Sequence, residues 1–274
     1  MMSMTELKSK PPLITLITDF GTQDWFVGVM KGVIAGIQPG AQVVDITHSI
    51  TPGSIREGAF FCKQSYPWFP DGTIHLAVVD PGVGTSRKAI VLKTPKGYCV
   101  GPDNGLFSWA FTINQVEAVY EIQLDRLDRN ISDTFHGRDL FAPAAARLAA
   151  GADLSDWTRP IKDFIKLDWP TPEIDQQQVK GEILHIDRFG NMITNLPSHK
   201  IKDVSKKLIL RGETPGHEEE VGLYPTYGMA PTGKRSLIAG STGYLEWAIP
   251  NGNAAQVSGW QVGDTFLLTT GQSE

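Results

Sequence analysis

Segments with strand-like and helix-like patterns alternate through residues 13–151, and this alternation constrains the fold more than any other feature. The helix-like segments carry apolar residues at helical spacing, and the strand-like ones are short, β-rich runs. Such alternation predicts an α/β domain with a largely parallel sheet, whose ligands gather at the carboxyl ends of the strands. The strand-like runs include LITLIT (13–18), QVVDI (42–46) and TIHLAVV (73–79), and the helix-like ones 24–37, 54–66 and 140–151.

The pattern changes after residue 157. Residues 157–178 are rich in proline and polar side chains, which predicts a linker. Short strand-like runs separated by turns follow, which is typical of a small all-β domain. We therefore expect a Rossmann-like α/β domain over residues 1–172, including the linker, and a C-terminal β-barrel domain over 173–274. The predicted strands of the second domain are VKGEILHID, NMITNL, KKLILR, EEEVGLY, SLIAG, GYLEWAI, AAQV and DTFLLTT.

Composition excludes several functional classes. The chain of 274 residues has a formal net charge of -5 and no basic run, so we expect no nucleic-acid partner. Its two cysteines, Cys62 and Cys99, form no disulfide framework and suit a reducing compartment. The polar first dozen residues do not resemble a signal peptide, and no apolar stretch is long enough to span a bilayer. These features predict a cytoplasmic protein without a membrane partner.

Four polar, glycine-containing turns are the first candidates for a ligand site. Asp19 and Asp80 each follow an apolar strand directly, so both should project at the carboxyl edge of the sheet. One such turn alone is an ordinary structural turn, because Asp and Gly are good turn formers. Four in one chain favour a ligand site instead. The four are TDFGTQD (18–24), VDPGVGTSR (79–87), GPDNG (101–105) and DRFGN (187–191).

His136, in the segment TFHGRDLFAP, is the second candidate. In the simplest interpretation Asp139 caps the following helix and His136 is incidental. A metal site is a weaker alternative, since the six histidines are scattered and no pair has ligand spacing. Alternatively, Asp80, Arg87 and His136 form an acid–guanidinium–imidazole group. Arg87 would then hold Asp80 ionised, and His136 would orient a water molecule or share its proton.

The second domain has aromatic side chains that could flank a planar base: Phe189, Tyr227 and Trp247. Asn191 carries the donor and acceptor pair that an adenine edge requires. The alternative is that these aromatic residues belong to the core. Ser241 and Thr242, between glycines, are equally consistent with a plain turn. The sequence contains no P-loop, no dinucleotide glycine fingerprint and no nucleophile-elbow motif.

Seven motifs in this order resemble the S-adenosyl-L-methionine hydroxide adenosyltransferases, relatives of the fluorinase and chlorinase enzymes. The resemblance extends from about Leu13 to Leu268. It implies an N-terminal α/β domain and a C-terminal β-barrel. It also implies a homotrimer that binds S-adenosylmethionine between the N-terminal domain of one subunit and the C-terminal domain of the next. The motifs are TDFGTQD, VVDITHSITPG, VVDPGVGT with Arg87, GPDNG, TFHGRD, IDRFGNMITN and GSTGYLE.

The resemblance assigns seven residues to substrate binding. Asp19 would hold both ribose hydroxyls, and Asp24 and Ser241 would contact the methionine amino group. Three further residues would enclose and read the adenine, with Asp187 beside them: Phe189, Asn191 and Tyr227.

The resemblance also implies a reaction and its catalytic residues. Asp80, Arg87 and His136 match the family's water-handling triad, which implies hydrolysis of S-adenosylmethionine to adenosine and L-methionine without cofactor or metal. The halogenating branch has other residues at positions 80 and 136, and a serine where Gly137 stands. Three alternatives stay open: a halide-using transferase of the same superfamily, a non-catalytic S-adenosylmethionine or adenosine binder, and a metal-dependent phosphoesterase. Whether Asp80 or His136 would be the base is left open.

Overall fold

The computed structural model describes residues 10–113, 115–127, 130–175, 178–201, 208–211 and 218–270. The chain divides into two units, Met1–Trp169 and Pro170–Glu274. The sequence predicts the boundary three residues later, at residues 172/173. No helix in the described ranges is long and apolar enough to cross a membrane.

The first unit alternates strands and helices, which confirms the predicted α/β class. A π-helical turn, Gly137–Phe141, precedes its last helix, and Pro143 lies in that helix's first turn, where its missing N–H costs nothing. The elements are β1 (Leu13–Thr18), α1 (Phe26–Ile37), β2 (Gln42–Thr47), α2 (Ile55–Ser65), β3 (Thr73–Val78), β4 (Ala89–Thr94), β5 (Gly97–Pro102), α3 (Ser108–Thr112), β6 (Ala118–Ile122), α4 (Ala142–Ala149) and β7 (Thr158–Ile161).

The sheet of this unit is less parallel than the sequence predicts. Its strand order is β2-β1-β3-β5-β4-β6-β7. Strands β2, β1, β3 and β5 run parallel, whereas β4, β6 and β7 are joined by antiparallel pairings. The physical reason is the two-residue connection Pro95–Lys96 between β4 and β5, because so short a loop can join only antiparallel strands. β7 lies within the predicted linker and forms the sheet edge.

Helices cover both faces of this sheet. Helices α1 and α4 pack on one face through residues such as Met30, Ile34 and Ala145. Helices α2 and α3 pack on the other through Ala59, Cys62 and Trp109. Fully burying a large apolar side chain contributes about 1.5–3 kcal/mol. These two apolar layers therefore hold the sheet rigidly beneath the loops at its edge.

The second unit is a nearly closed, barrel-like sheet, as predicted. The strand order is β12-β11-β16-β9-β10-β15-β14-β13, with β8 on β9, and every pairing except β13–β14 is antiparallel. The elements are β8 (Glu173–Ile174), β9 (Gln178–Ile186), β10 (Met192–Pro197), β11 (Leu208–Arg211), β12 (Glu218–Val221), β13 (Leu223–Tyr224), β14 (Ser236–Ala239), β15 (Tyr244–Ala248), α5 (Ala254–Ser258) and β16 (Thr265–Thr270).

One predicted strand of this unit is wrong. AAQV forms the first four residues of α5, not a strand. The Asn253 side chain accepts a hydrogen bond from the Gln256 amide at 2.8 Å, and Gly259 ends the helix at a φ of 71°. An N-cap asparagine and a left-handed glycine are both helix signals, and here they outweigh the short apolar run.

Candidate active site

Two of the predicted acidic turns lie side by side at the carboxyl edge of the first sheet. Strands β1 and β3 are parallel neighbours, and their register pairs Thr18 with Val78. Asp19 follows β1 at once, and Asp80 lies two residues beyond β3. The prediction that both project at the same edge is therefore confirmed.

Asp80, Arg87 and His136 form one hydrogen-bonded group. Arg87 donates to both carboxylate oxygens of Asp80, with Nε at 2.9 Å from Oδ1 and Nη2 at 2.5 Å from Oδ2. The same Nη2 lies 2.5 Å from Nδ1 of His136. The Arg87 guanidinium also lies 5.1 Å from the ring centroid of Phe141. One guanidinium thus links a carboxylate to an imidazole that is 49 residues from Arg87 in sequence.

The turn after β3 brings Arg87 back to Asp80. Val83 N donates to Asp80 O at 3.2 Å, and Thr85 donates to Gly82 O through both its amide and its hydroxyl. Strand β4 follows but pairs with β5 and β6 rather than β3. The hydrogen bonds of the turn itself therefore bring Arg87 back beside Asp80.

Gly84 joins this turn to the segment that carries His136. Its φ is 76°, and a Cβ there would lie 2.5 Å from the backbone oxygen of Asp133. Only glycine fits such a left-handed, crowded position without strain. This approach of two backbones sets the Asp80 turn beside the residues that lead to His136.

Asp139 joins the two ends of segment 132–139 by a hydrogen bond and does not cap a helix. Its Oδ2 accepts from the Ser132 amide at 3.0 Å, and Arg138 Nε and Nη2 donate to its two oxygens at 2.6 and 2.7 Å. His136 itself occupies the N-cap position of the π-helical turn and makes no side-chain capping bond. The expectation that Asp139 caps the helix is therefore wrong, and His136 contacts Arg87 through Nδ1.

Burial fixes the charge state of the imidazole. Burial and the Arg87 charge both lower the pKa of His136, and the nearby carboxylates only partly offset this. Arginine is a donor only, so Nδ1 of His136 must accept and the ring proton sits on Nε2. The side chains of Arg87 and Asp80 are only 9% and 5% exposed, so their ion pair is shielded from water. The site therefore holds a neutral imidazole beside a buried ion pair.

A small cavity of about 130 Å³ opens beside this group. Asp80, His136 and Gly137 line it, together with three aromatic rings: Phe20, Phe26 and Phe135. These rings pack against one another with centroid separations of 5.1–6.0 Å. A Cβ on Gly137 would lie 3.1–3.2 Å from Phe20, Met30 and Phe135. Sequence reasoning missed the three phenylalanines, although Phe20 and Phe135 lie within the quoted motifs TDFGTQD and TFHGRD.

The remaining turns of the first unit have different roles. Asp19 accepts from the Gly53 amide at 2.8 Å, whereas Asp24 is exposed, and neither lines the small cavity. In GPDNG, Asp103 accepts from the Ile165 amide at 2.8 Å, and Asn104 donates to Val79 O at 2.8 Å. Both are structural contacts, so this turn braces the sheet edge instead of facing the cavity.

The second unit has its own cavity of about 720 Å³. Four of the predicted residues line it, namely Asp187, Phe189, Asn191 and Tyr227. Phe189 is 75% exposed and Tyr227 44%, so both offer aromatic faces. The rest of the wall is formed by residues 249–252 and by Gly228, Ala230 and Thr232. Ser241 is exposed and does not line this cavity, and Trp247 is fully buried in the core, as the alternative interpretation holds.

Metal-ligand geometry is missing from the described ranges, where no three His, Cys, Asp or Glu side chains are grouped so as to hold an ion.

Comparison with known proteins extends over nearly the whole chain. Residues 14–158 match the SAM hydroxide adenosyltransferase N-terminal domain, and residues 181–267 match its C-terminal domain. The (R)-S-adenosyl-L-methionine hydrolase of Salinispora arenicola (strain CNS-205) is 38% identical over 265 residues, covering 95% of this chain and 98% of the relative. The fluorinase of Actinoplanes sp. (strain N902-109) is more distant, at 26% identity over 272 residues, 86% of this chain and 90% of that enzyme.

A solved structure shows the same fold. The crystal structure of an uncharacterized conserved protein from Thermotoga maritima has a TM-score of 0.87 and 35% sequence identity, covering 93% of this chain and 99% of that one. The two halves of the chain thus match the two domains of one family. The chain belongs to the SAM hydroxide adenosyltransferase family.

Proposed function

We propose that this protein hydrolyses S-adenosyl-L-methionine to adenosine and L-methionine. The observation that carries the proposal is the Asp80–Arg87–His136 group on the wall of a cavity of about 130 Å³. At about 30 Å³ per water molecule, such a space suits a few waters beside a reacting atom. The relative from Salinispora arenicola that is named (R)-S-adenosyl-L-methionine hydrolase supports the same reaction.

The reaction needs an aligned nucleophile more than an acid. The oxygen of water forms a bond to ribose C5′ while the C5′–S bond breaks, and sulfur keeps the electron pair as the neutral thioether of methionine. The leaving group requires neither protonation nor a Lewis acid, so we propose that no cofactor or metal takes part. The site must hold the oxygen about 3–3.5 Å from C5′, in line with the C–S bond.

Asp80 is the better candidate for the base. Nδ1 of His136 already accepts from Arg87, so its Nε2 carries the ring proton and can only donate. The Asp80 carboxylate lines the cavity and keeps lone pairs beyond those that Arg87 occupies. Asp80 would take the proton of water, His136 would orient the oxygen, and the Arg87 charge would favour developing hydroxide. General-base catalysis of this kind contributes about 10²–10⁴-fold.

Substrate contacts complete the proposal. Asp19 would hold the ribose hydroxyls, since the Gly53 amide engages one of its oxygens and fixes the carboxylate at the sheet edge. The exposed Asp24 and Ser241 would bind the methionine amino group. The cavity of about 720 Å³ in the second unit would enclose adenine between its aromatic side chains. We further propose a cytoplasmic homotrimer in which neighbouring subunits supply the two parts of each site.

The residues at positions 80, 136 and 137 disfavour the halide-using alternative. The resemblance implies other residues at positions 80 and 136 in the halogenating branch and a serine at 137, whereas this chain has Asp80, His136 and Gly137. Incubation with fluoride or chloride should therefore yield no 5′-halogenated nucleoside. Such a product would identify a halogenase instead.

Hydrolysis in ¹⁸O-labelled water tests the proposal. The adenosine formed should carry one ¹⁸O in its 5′-hydroxyl, and methionine should carry none, because the oxygen attacks C5′.

Asp80→Asn should reduce turnover by about 10²–10⁴-fold, while Asp125→Asn, at an exposed carboxylate of the same unit, should not. If S-adenosylmethionine binds to the protein but stays intact for hours, the proposed hydrolysis is contradicted. Equal turnover by Asp80→Asn would point to a binding protein without catalysis at this site.

A further inference from the structure

A buried carboxylate in the second unit has no part in the proposed reaction. Glu246 lies in β15, between β10 and β14, and is 5% exposed. Burial, with the negative charge of Asp187 nearby, raises the pKa of Glu246 to about 7. Burying such a group is costly unless a partner satisfies it, so its partner indicates its role.

That partner is Tyr227. Its hydroxyl donates to Oε1 of Glu246. A hydroxyl has only one hydrogen, so with that hydrogen engaged the Tyr227 oxygen can only accept from its other neighbours. Tyr227 also lines the larger cavity, and the buried carboxylate therefore sets the polarity of a group on the cavity wall.

Asn191 is the next residue in the network. Its Nδ2 lies 2.9 Å from Oδ2 of Asp187 and 3.4 Å from the Tyr227 hydroxyl oxygen. The other Asp187 oxygen accepts from the amides of Phe189 and Asn191, both at 2.8 Å. A carboxylate can pair only with the nitrogen of a side-chain amide, which fixes the orientation of Asn191. Both its N–H groups point at acceptors, and Oδ1 is left for a ligand.

We propose that Glu246 is a positioning residue that holds the Tyr227 hydroxyl hydrogen away from the cavity, so that Tyr227 and Asn191 both present acceptors to a ligand and the cavity selects a 6-aminopurine over its 6-oxo analogue. This inference rests on the proposed function and adds the origin of base specificity. Asn191 would touch the base, and Glu246 would not.

The selection follows from donor and acceptor matching. The exocyclic amino group of adenine donates to Oδ1, whereas the O6 atom of hypoxanthine would face it as a second acceptor. Without Glu246, the Tyr227 hydroxyl is free to turn its hydrogen away from the barrel core. An oxygen at the 6-position would then find a donor on the cavity wall, and the preference for the amino group would fall. Without the Tyr227 hydroxyl, the second N–H of Asn191 loses its acceptor and becomes such a donor itself.

Calorimetric titration of the full-length protein with adenosine and with inosine tests this without any turnover, at a pH above the Glu246 pKa of about 7, where the carboxylate is ionised and accepts from Tyr227. The wild type should prefer adenosine. Glu246→Leu and Tyr227→Phe should each reduce the adenosine-to-inosine affinity ratio by about 2- to 10-fold, the effect of one net hydrogen bond. Glu246→Gln should keep the ratio, since its amide oxygen still accepts from Tyr227.

Three outcomes would overturn the inference: no preference in the wild type, an unchanged ratio in Tyr227→Phe, or an unchanged ratio in a folded Glu246→Leu protein. Tyr227→Phe alters a partly exposed side chain, so it decides the matter even where Glu246→Leu does not fold. A wild type that prefers adenosine but leaves S-adenosylmethionine intact contradicts only the proposed hydrolysis. Turnover with an unchanged ratio in both variants contradicts only the role of Glu246.

Discussion

At the scale of single residues, Arg87 decides the chemistry of the first site. It donates to Asp80 and to Nδ1 of His136, so one cation lies between a carboxylate and an imidazole. Sequence spacing suggested that these three residues meet. It could not reveal that Arg87 lies between the other two, because that depends on where the His136 segment packs.

We expect Arg87→Met to raise the pKa of His136. In the wild type, burial and the Arg87 charge lower the pKa of His136 from its ordinary value of about 6.5. The ring therefore becomes protonated only at a lower pH than a free imidazole does. Removing the cation leaves the imidazole beside the Asp80 carboxylate, which favours the protonated form. Titration of ¹⁵N-labelled histidine side chains by NMR measures the change.

The buried His75, whose pKa is lowered to about 4 by burial, serves as the internal control of that titration and should behave alike in both proteins. A His136 titration that does not move in Arg87→Met would show that the contact at Nδ1 has little electrostatic effect in solution.

At the scale of elements, the two turns around Asp80 and His136 depend on each other. Gly84 meets the Asp133 backbone, and Asp139 ties the same segment back to Ser132. Gly84 serves the approach of two backbones to each other.

Gly84→Ala should destabilise the protein by about 1–3 kcal/mol, since a non-glycine residue at positive φ is strained and its Cβ would lie 2.5 Å from Asp133 O. Turnover should fall as well, because the His136 segment must shift. Urea unfolding and steady-state kinetics measure both effects. Gly82→Ala is the matched control, since a Cβ there meets Arg87 Cγ at 3.4 Å without a strained φ. Equal losses in the two variants would contradict the assignment.

At the scale of the whole molecule, the residues proposed for one reaction lie in two units. The catalytic group belongs to Met1–Trp169, and the proposed adenine cavity belongs to Pro170–Glu274. In the proposed homotrimer, neighbouring subunits would each supply one part of a site. This predicts that defects in the two parts can compensate each other between subunits.

Co-expression of Asp80→Asn and Asn191→Ala chains should therefore restore part of the activity that each variant lacks alone. A mixed trimer contains some interfaces with two intact parts, so about a quarter of the wild-type turnover is the order of magnitude expected for random mixing of intersubunit sites. Light scattering of the same sample gives the oligomeric state. A mixture no more active than the separate variants, despite exchange of subunits, would place each site within one chain.

Local sequence determined much of the protein. Residues such as Met30 and Ile34 at helical spacing, and the apolar runs before Asp19 and Asp80, specify elements whose signals lie within a few neighbouring residues. Helix and strand periodicity are local properties, which is why the α/β class, the change to a β-rich second half and the acidic turns could be predicted.

Tertiary structure alone decided which turns share a site. Asp103 bonds an amide 62 residues away, whereas Asp80 meets His136 through Arg87 across a turn packed against Asp133. The two turns look alike in sequence, with an acidic residue and glycines after a strand. What separates them is long-range packing, because the energy of a buried hydrogen bond depends on partners that no local window contains.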